Sequence, residues 1–214
     1  MNADRSTPVE HIPGLMRVES TSAEELLAHC QAMPGPAEPD RRYCTVEEYV
    51  DCPPEHVYAY LRAGHHLEEW TYSVRDFEPA DRPGLWVGYD RLVPDTRIFC
   101  RVVANPDAMT VDYHCAWDQG DQLWMIYLMR VVPATLVLDR PGSVITWTNC
   151  RHPHYDANPH PQLAPSADRP WVGDFWGLFQ AGHQVEMRNL KTILEYRYGN
   201  DEPVSRPPLR ALSR

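Results

Sequence analysis

From residue 174 to 198 the apolar side chains return with the period of a helix. At about 100° per residue, Trp176, Phe179, His183, Met187, Leu190 and Leu194 fall on one arc, while Gln180, Gln184, Arg188 and Lys191 lie away from it. Five of the six arc residues are large and apolar. Each gains roughly 1.5–3 kcal/mol on burial, which outweighs the propensity penalty of about 1 kcal/mol at each of Gly177 and Gly182. The stretch is therefore a helix held by packing. Asp174 suits its N-cap, and Gly199 followed by Asn200 suits a left-handed stop. His183 breaks the apolar arc and is either a satisfied core residue or a chemical group.

Upstream the period changes to two. Residues 42–51 alternate, with Tyr43, Thr45, Glu47 and Tyr49 on one face and Cys44, Val46, Glu48 and Val50 on the other, as a first strand would. Cys52-Pro-Pro-Glu55 opens a short helix that buries Val57, Tyr60 and Leu61 and stops at Gly64. His65 to Trp70 forms a second short helical turn. Six strands then follow, at 73–78, 85–92, 96–104, 109–117, 123–132 and 144–151, separated by turn sequences such as Asn105-Pro-Asp107, Asp118-Gln-Gly120 and Arg140-Pro-Gly142. The order is one strand, two short helices, six antiparallel strands and a long helix, an α+β domain over 43–198. Residues 1–42, broken by Pro8, Pro13, Pro34, Pro36 and Pro39, are expected as an N-terminal extension. Within them Ser22 to Glu25 matches a capping box for a short helix through Leu26, Leu27 and Cys30. Residues 199–214 are expected as a flexible tail.

Length and charge narrow the class. A chain of 214 residues fits one domain with tails. A formal net charge of −10, with Lys191 as the single lysine, disfavours a phosphate backbone, so no nucleic-acid partner is expected. The most apolar stretch, 123–138, is interrupted by Arg130 and Pro133 and is too short to span a bilayer. With no hydrophobic leader at the N-terminus, the expected location is cytoplasmic. Cys30, Cys44, Cys52, Cys100, Cys115 and Cys150 include no Cys-x-x-Cys pair and are expected as reduced, mostly buried thiols. No nucleotide-binding glycine motif occurs and no cofactor is expected.

Three segments carry a resemblance: Tyr49-Val-Asp-Cys-Pro-Pro-Glu-His-Val-Tyr58, His66-Leu-Glu-Glu-Trp70, and the closing Gly182-His-Gln-Val-Glu-Met-Arg-Asn-Leu-Lys-Thr-Ile-Leu-Glu195. With the element order, they resemble the SRPBCC superfamily over residues 43–198, the group of START lipid-transfer domains, birch-pollen-allergen-like proteins and polyketide cyclases. The resemblance implies a helix-grip fold, in which a curved seven-stranded antiparallel sheet wraps the C-terminal helix around an apolar cavity. Activities in that group range from carriers to cyclases and hydrolases, so fold does not assign function. The link from His152 to Gly173 is longer than is usual there.

Parity selects the residues that would face the cavity. On the strand at 109–117, Val111, Tyr113, Cys115 and Trp117 point inward, leaving His114 outside. Leu123, Met125, Tyr127, Met129 and Val131 form the inward set on the next strand. The last strand is ambiguous: Trp147 argues for Ile145, Asn149 and Arg151 inward, and Val144 argues for Thr146, Thr148, Cys150 and His152. Cys115, Trp117, Met125, Tyr127, Met129, Trp147, Trp176, Phe179 and Met187 are the candidate ligand contacts. An antiparallel meander gathers Trp117, Asp118, Trp124, Asn149 and His152 at one sheet edge, beside the Pro-rich loop that carries His154, Tyr155, Asp156 and His160 and is a candidate lid.

Two enzymatic chemistries follow. In the leading one, His183, His152 or His154, aided by Tyr113 and Asn149, moves protons on an apolar, aromatic or polyketide-like substrate, as a cyclase, aromatase or dehydratase would. In the other, His152, His154, Asp156 and His160 bind a divalent metal. A non-catalytic carrier or sensor of a hydrophobic ligand is the alternative from a different functional class.

Overall fold

The computed structural model describes residues 6–33, 42–93, 95–117, 122–151, 154, 157, 159–163 and 176–205. Seven strands form one antiparallel sheet: β1 (Tyr43–Val50), β2 (Val74–Pro79), β3 (Leu85–Asp90), β4 (Thr96–Asn105), β5 (Thr110–Trp117), β6 (Met125–Pro133) and β7 (Ser143–Cys150). Their order is β1-β7-β6-β5-β4-β3-β2, so β1 joins the meander's far edge and only the β1–β7 pairing is non-consecutive. Helices α1 (Ala23–Ala32), α2 (Pro54–Leu61), α3 (Leu67–Trp70), α4 (Ala134–Val137) and α5 (Trp176–Gly199) complete the chain. The long α5 crosses the concave face of the sheet and packs on β1, α1 and α3.

Each element has a local cause. Pro54 opens α2 at the first turn, where its missing N–H is not needed, and Val57, Tyr60 and Leu61 are buried as the sequence predicts. The edge strand β2 carries a register shift between Arg75 and Glu78, with Asp76 left-handed at φ 55. Such a bulge bends and twists its strand. It also crowds β3: a Cβ on Gly88 would stand 2.4 Å from the Phe77 ring and 2.8 Å from the Arg75 carbonyl, so only glycine fits.

The ambiguous parity of β7 resolves with Trp147. Ser143, Ile145, Trp147 and Asn149 are buried, while Thr146 and Thr148 face away and Cys150 is exposed. Pairing with β6 fixes this choice, since Tyr127, Met129 and Val131 stand opposite Asn149, Trp147 and Ile145 on the same apolar face. The alternative inward set of Thr146, Thr148, Cys150 and His152 is not adopted; His152 lies outside the described residues. None of the six cysteines is in a disulfide; five are buried and Cys150 is exposed.

The flanking segments are tied into the domain. Residues 6–33 pack against it. Val9 and Ile12 lie in the main core, Asn189 holds Met16 by both backbone N–H and carbonyl (2.9 and 2.8 Å), and α1 rests on α5 through Cys30, Tyr72 and Val185. The predicted capping box is present, Ser22 accepting from the Glu25 amide while Glu25 accepts from that of Ser22. Beyond α5, the start of the expected tail is anchored as well: Val204 is buried, and Glu202 accepts from the amide and hydroxyl of Thr7 at 2.5 and 2.6 Å. Finally, Gly199 is the last helical residue and Asp201, at φ 54, takes the left-handed position. The Glu202 amide then closes on the Arg197 carbonyl (2.8 Å), a stop that a short polar side chain tolerates as glycine would. Asp174 lies outside the described residues. Among the described residues, no helix is long and apolar enough to cross a membrane.

Candidate ligand cavity

Between sheet and helix lies a cavity of about 450 Å³, a size within the usual range for small-molecule sites. Its lining is mostly apolar. Of the residues that sequence parity assigns to it, Cys115, Trp117, Met125, Tyr127, Trp147 and Phe179 do line it. Met129 and Met187 point inward but are packed solid, at 1 % exposure each, and stand outside the wall. The side chain of Trp176 lies outside the described residues.

His183 enters the cavity from α5. Its ring lies 4.1 Å from that of Trp147, with Phe179 and Tyr127 edge-on at 5.3 and 5.6 Å. Nδ1 stands 3.5 Å from the Cys44 sulfur, and Cys44 Sγ donates to Asn149 Oδ1 at 2.5 Å. With the thiol proton directed at Asn149, the sulfur is left to accept from Nδ1–H, which leaves the imidazole lone pair on Nε2. Burial lowers the imidazole pKa to about 3, so the ring is neutral throughout the physiological range.

Tyr113 and Asn149 are engaged with the protein's own groups. Tyr113 is buried and donates to the Leu61 carbonyl at 2.6 Å, and burial raises its phenol well above the ordinary value. Asn149 is held by Cys44. His154 and His160 gather on Trp124, with ring centroids 4.9 and 5.7 Å away, and neither lines the cavity. His152, Tyr155 and Asp156 lie outside the described residues, as does most of the candidate lid. Among the described residues, no group of three or more His, Cys, Asp or Glu side chains is placed to hold a metal.

No protein-family model and no curated protein matches the chain. Among solved structures, it is similar to a START superfamily protein from Mycobacterium smegmatis (11% identity, TM-score 0.49, covering 72% of this chain and 98% of that one). It is also similar to a Chromobacterium violaceum protein (15% identity, TM-score 0.47, covering 72% and 98%) and a Thermus thermophilus protein (15%, 0.45, covering 70% and 94%). The strand order and the gripped α5 decide the architecture. The chain has a helix-grip fold.

Within this helix-grip domain, sequence parity missed two acids and one wall. Glu186 stands one turn after His183 and lines the same cavity; its Oε1 accepts from the Tyr72 amide at 3.1 Å. Burial raises the Glu186 carboxyl to about 7, with the nearby Asp90 charge adding to the effect and the Tyr72 hydrogen bond and Arg75 opposing it. Asp90, also in the wall, is raised by burial against hydrogen bonds from Ser73 and the amides of Leu92 and Val93. The missed wall is α1, which contributes Ala23, Leu26, Leu27 and Cys30. The available signal for Glu186 was its three-residue spacing from His183, which places both on one face of a helix.

Proposed function

We propose that this protein binds an apolar or aromatic small molecule in the cavity between sheet and α5, as a carrier or sensor of that molecule. The observation that carries the reading is the cavity itself, about 450 Å³ within a folded core whose side chains otherwise pack closely. Its polar groups favour holding over proton transfer at His183. An imidazole at about 3 carries no proton to give at neutral pH, and the hydroxyl of Tyr113 and the amide oxygen of Asn149 are engaged with the protein's own groups.

One observation favours a second, enzymatic reading. Glu186, lifted to about 7, is a cavity group whose proton is exchangeable near neutrality. If the bound molecule is turned over by cyclisation or dehydration, Glu186 is the acid or base and His183 its hydrogen-bonding companion.

Gly182 provides the test. It lines the cavity, and no heavy atom lies within 4 Å of where its Cβ would stand. Gly182→Trp is therefore expected to fill the cavity and leave the fold intact. Native mass spectrometry of the freshly purified protein should find a non-covalent small molecule that the variant, with an unchanged circular dichroism spectrum, has lost. Equal ligand retention in both proteins would overturn the assignment of the cavity as the binding site. Recovery of a chemically altered ligand after incubation would favour the enzymatic reading.

A further inference from the structure

Among the described residues, the charged part of the cavity wall has one sign. Glu186 and Asp90 line it, and among the described residues no lysine or arginine does. The nearest compensating cation, Arg75, is turned elsewhere. Its Nη2 donates to Glu19 (2.7 Å) and to the Tyr72 carbonyl (3.0 Å), and its Nη1 to the carbonyls of Thr71 (3.1 Å) and Val74 (2.6 Å). Among the described residues Glu186 therefore has no ion-pair partner, and it receives a backbone N–H from Tyr72. An anionic ligand would meet these carboxyl groups without a counter-charge, and a neutral one would leave Glu186 as it stands.

A second, independent feature of the wall points to a cation. Trp70, Tyr72, Phe77, Trp117 and Phe179 line the same space, and aromatic faces attract ammonium groups, more strongly where water is excluded. From these two features we infer that the ligand is a hydrophobic amine, whose ammonium group pairs with Glu186 among the aromatic rings while its apolar body fills the rest of the cavity. The inference rests on the binding reading given above and adds the ligand's charged group to it.

A pH dependence follows. The groups that carry charge or titrate around Glu186 are Asp90 from β3, Arg75 from β2 and Cys30 from α1, with His183 on its own helix. His183 is neutral, the Cys30 thiol is pushed up by burial, and Asp90 is raised by burial against its hydrogen bonds, while the Glu186 carboxyl, at about 7, changes charge across neutrality. An aliphatic amine keeps its proton to roughly pH 10. Amine affinity therefore rises as pH rises through about 7.

Isothermal titration calorimetry of the full chain with naphthylethylamine, naphthylethanol and naphthylacetate tests this with one ring system and three end groups. At about pH 8 the amine should bind at least tenfold more tightly than the alcohol, and this preference should shrink by roughly tenfold at about pH 6. In Glu186→Gln the alcohol should still bind while the preference disappears. Equal affinity for amine and alcohol, tighter binding of the acetate, or a preference that survives Glu186→Gln would overturn the inference and leave the cavity reading standing. Binding of none of the three would overturn both. The wild-type pH series decides the matter without the variant.

Discussion

The C-terminal half of α5 and the half that faces the cavity each hold an ionisable group drawn in from bulk water, Arg197 buried and Glu186 half-buried, and their surroundings differ. Arg197, with no exposed surface, meets Glu69 through two hydrogen bonds, Nη1 to Oε2 at 2.9 Å and Nη2 to Oε1 at 3.0 Å. Nη1 also donates to the Val204 carbonyl at 3.1 Å, and the Tyr60 hydroxyl donates to Glu69 at 2.8 Å. Leu190, Ile193 and Leu194 are packed without exposure beside this pair. Eleven residues back along the helix, Glu186 has one backbone donor and open space. Burial alone would raise the Glu69 carboxyl, but the hydrogen bond and charge of Arg197 hold it below the ordinary value; Glu186 lacks such a partner and rises to about 7. A charge paired with its opposite inside the chain serves the fold. One left unmatched in a cavity wall is available to something the chain does not supply.

The largest effect should come from breaking the matched pair. Arg197→Leu or Glu69→Leu leaves one buried charge without its partner, a defect of about 3–5 kcal/mol, and the double substitution should recover much of that loss. Urea unfolding of the three variants measures both. Because the folded Glu69 value is depressed, the pair's contribution is present above the unfolded carboxylate value near 4.3 and is lost as pH falls through the lower folded one. A single substitution that left stability unchanged would remove the contrast between the two halves.

The next effect has the opposite sign. The folded Glu186 value lies above its unfolded one, so the folded state holds the extra proton and stability falls as pH rises from roughly 4.5 to 7. Glu186→Gln removes that dependence. The variant should match the wild type at about pH 4 and exceed it at about pH 8 by on the order of 3 kcal/mol. Loss of stability at both pH values would mean that the carboxylate is matched after all.

The matched half was the more legible in sequence. Leu190 and Leu194 recur with the helical period, and the strands announced themselves by alternation and turn residues, because burial against a regular face leaves a periodic trace. Arg197 and Glu69 did not, since they are polar residues whose burial depends on each other across 128 positions. The cavity half was legible where it is apolar, in Phe179, Trp117, Met125 and Tyr127. Glu186 sits beside Met187 of the apolar arc, where an acid looks like solvated surface. What buries it is Tyr72, just after α3, and α1 from the N-terminal segment, contacts that no local period records. The alternation puts Cys44 on one face of β1 with Val46 and Val50, but its meeting with His183 is made by the closing of the sheet around α5. The packing of the N-terminal segment left no trace for a related reason: its prolines signal the absence of long elements and say nothing about whether Val9 and Ile12 find a core.

The account depends most on the unmatched state of Glu186. Its carboxyl carbon can be followed by NMR in protein carrying carbon-13 at glutamate side chains, with Glu186→Gln assigning the resonance. The account predicts a midpoint at about 7 in the ligand-free protein, moving down when naphthylethylamine is added. A midpoint in the ordinary carboxylate range, near 4.3, with no response to the amine, would contradict it.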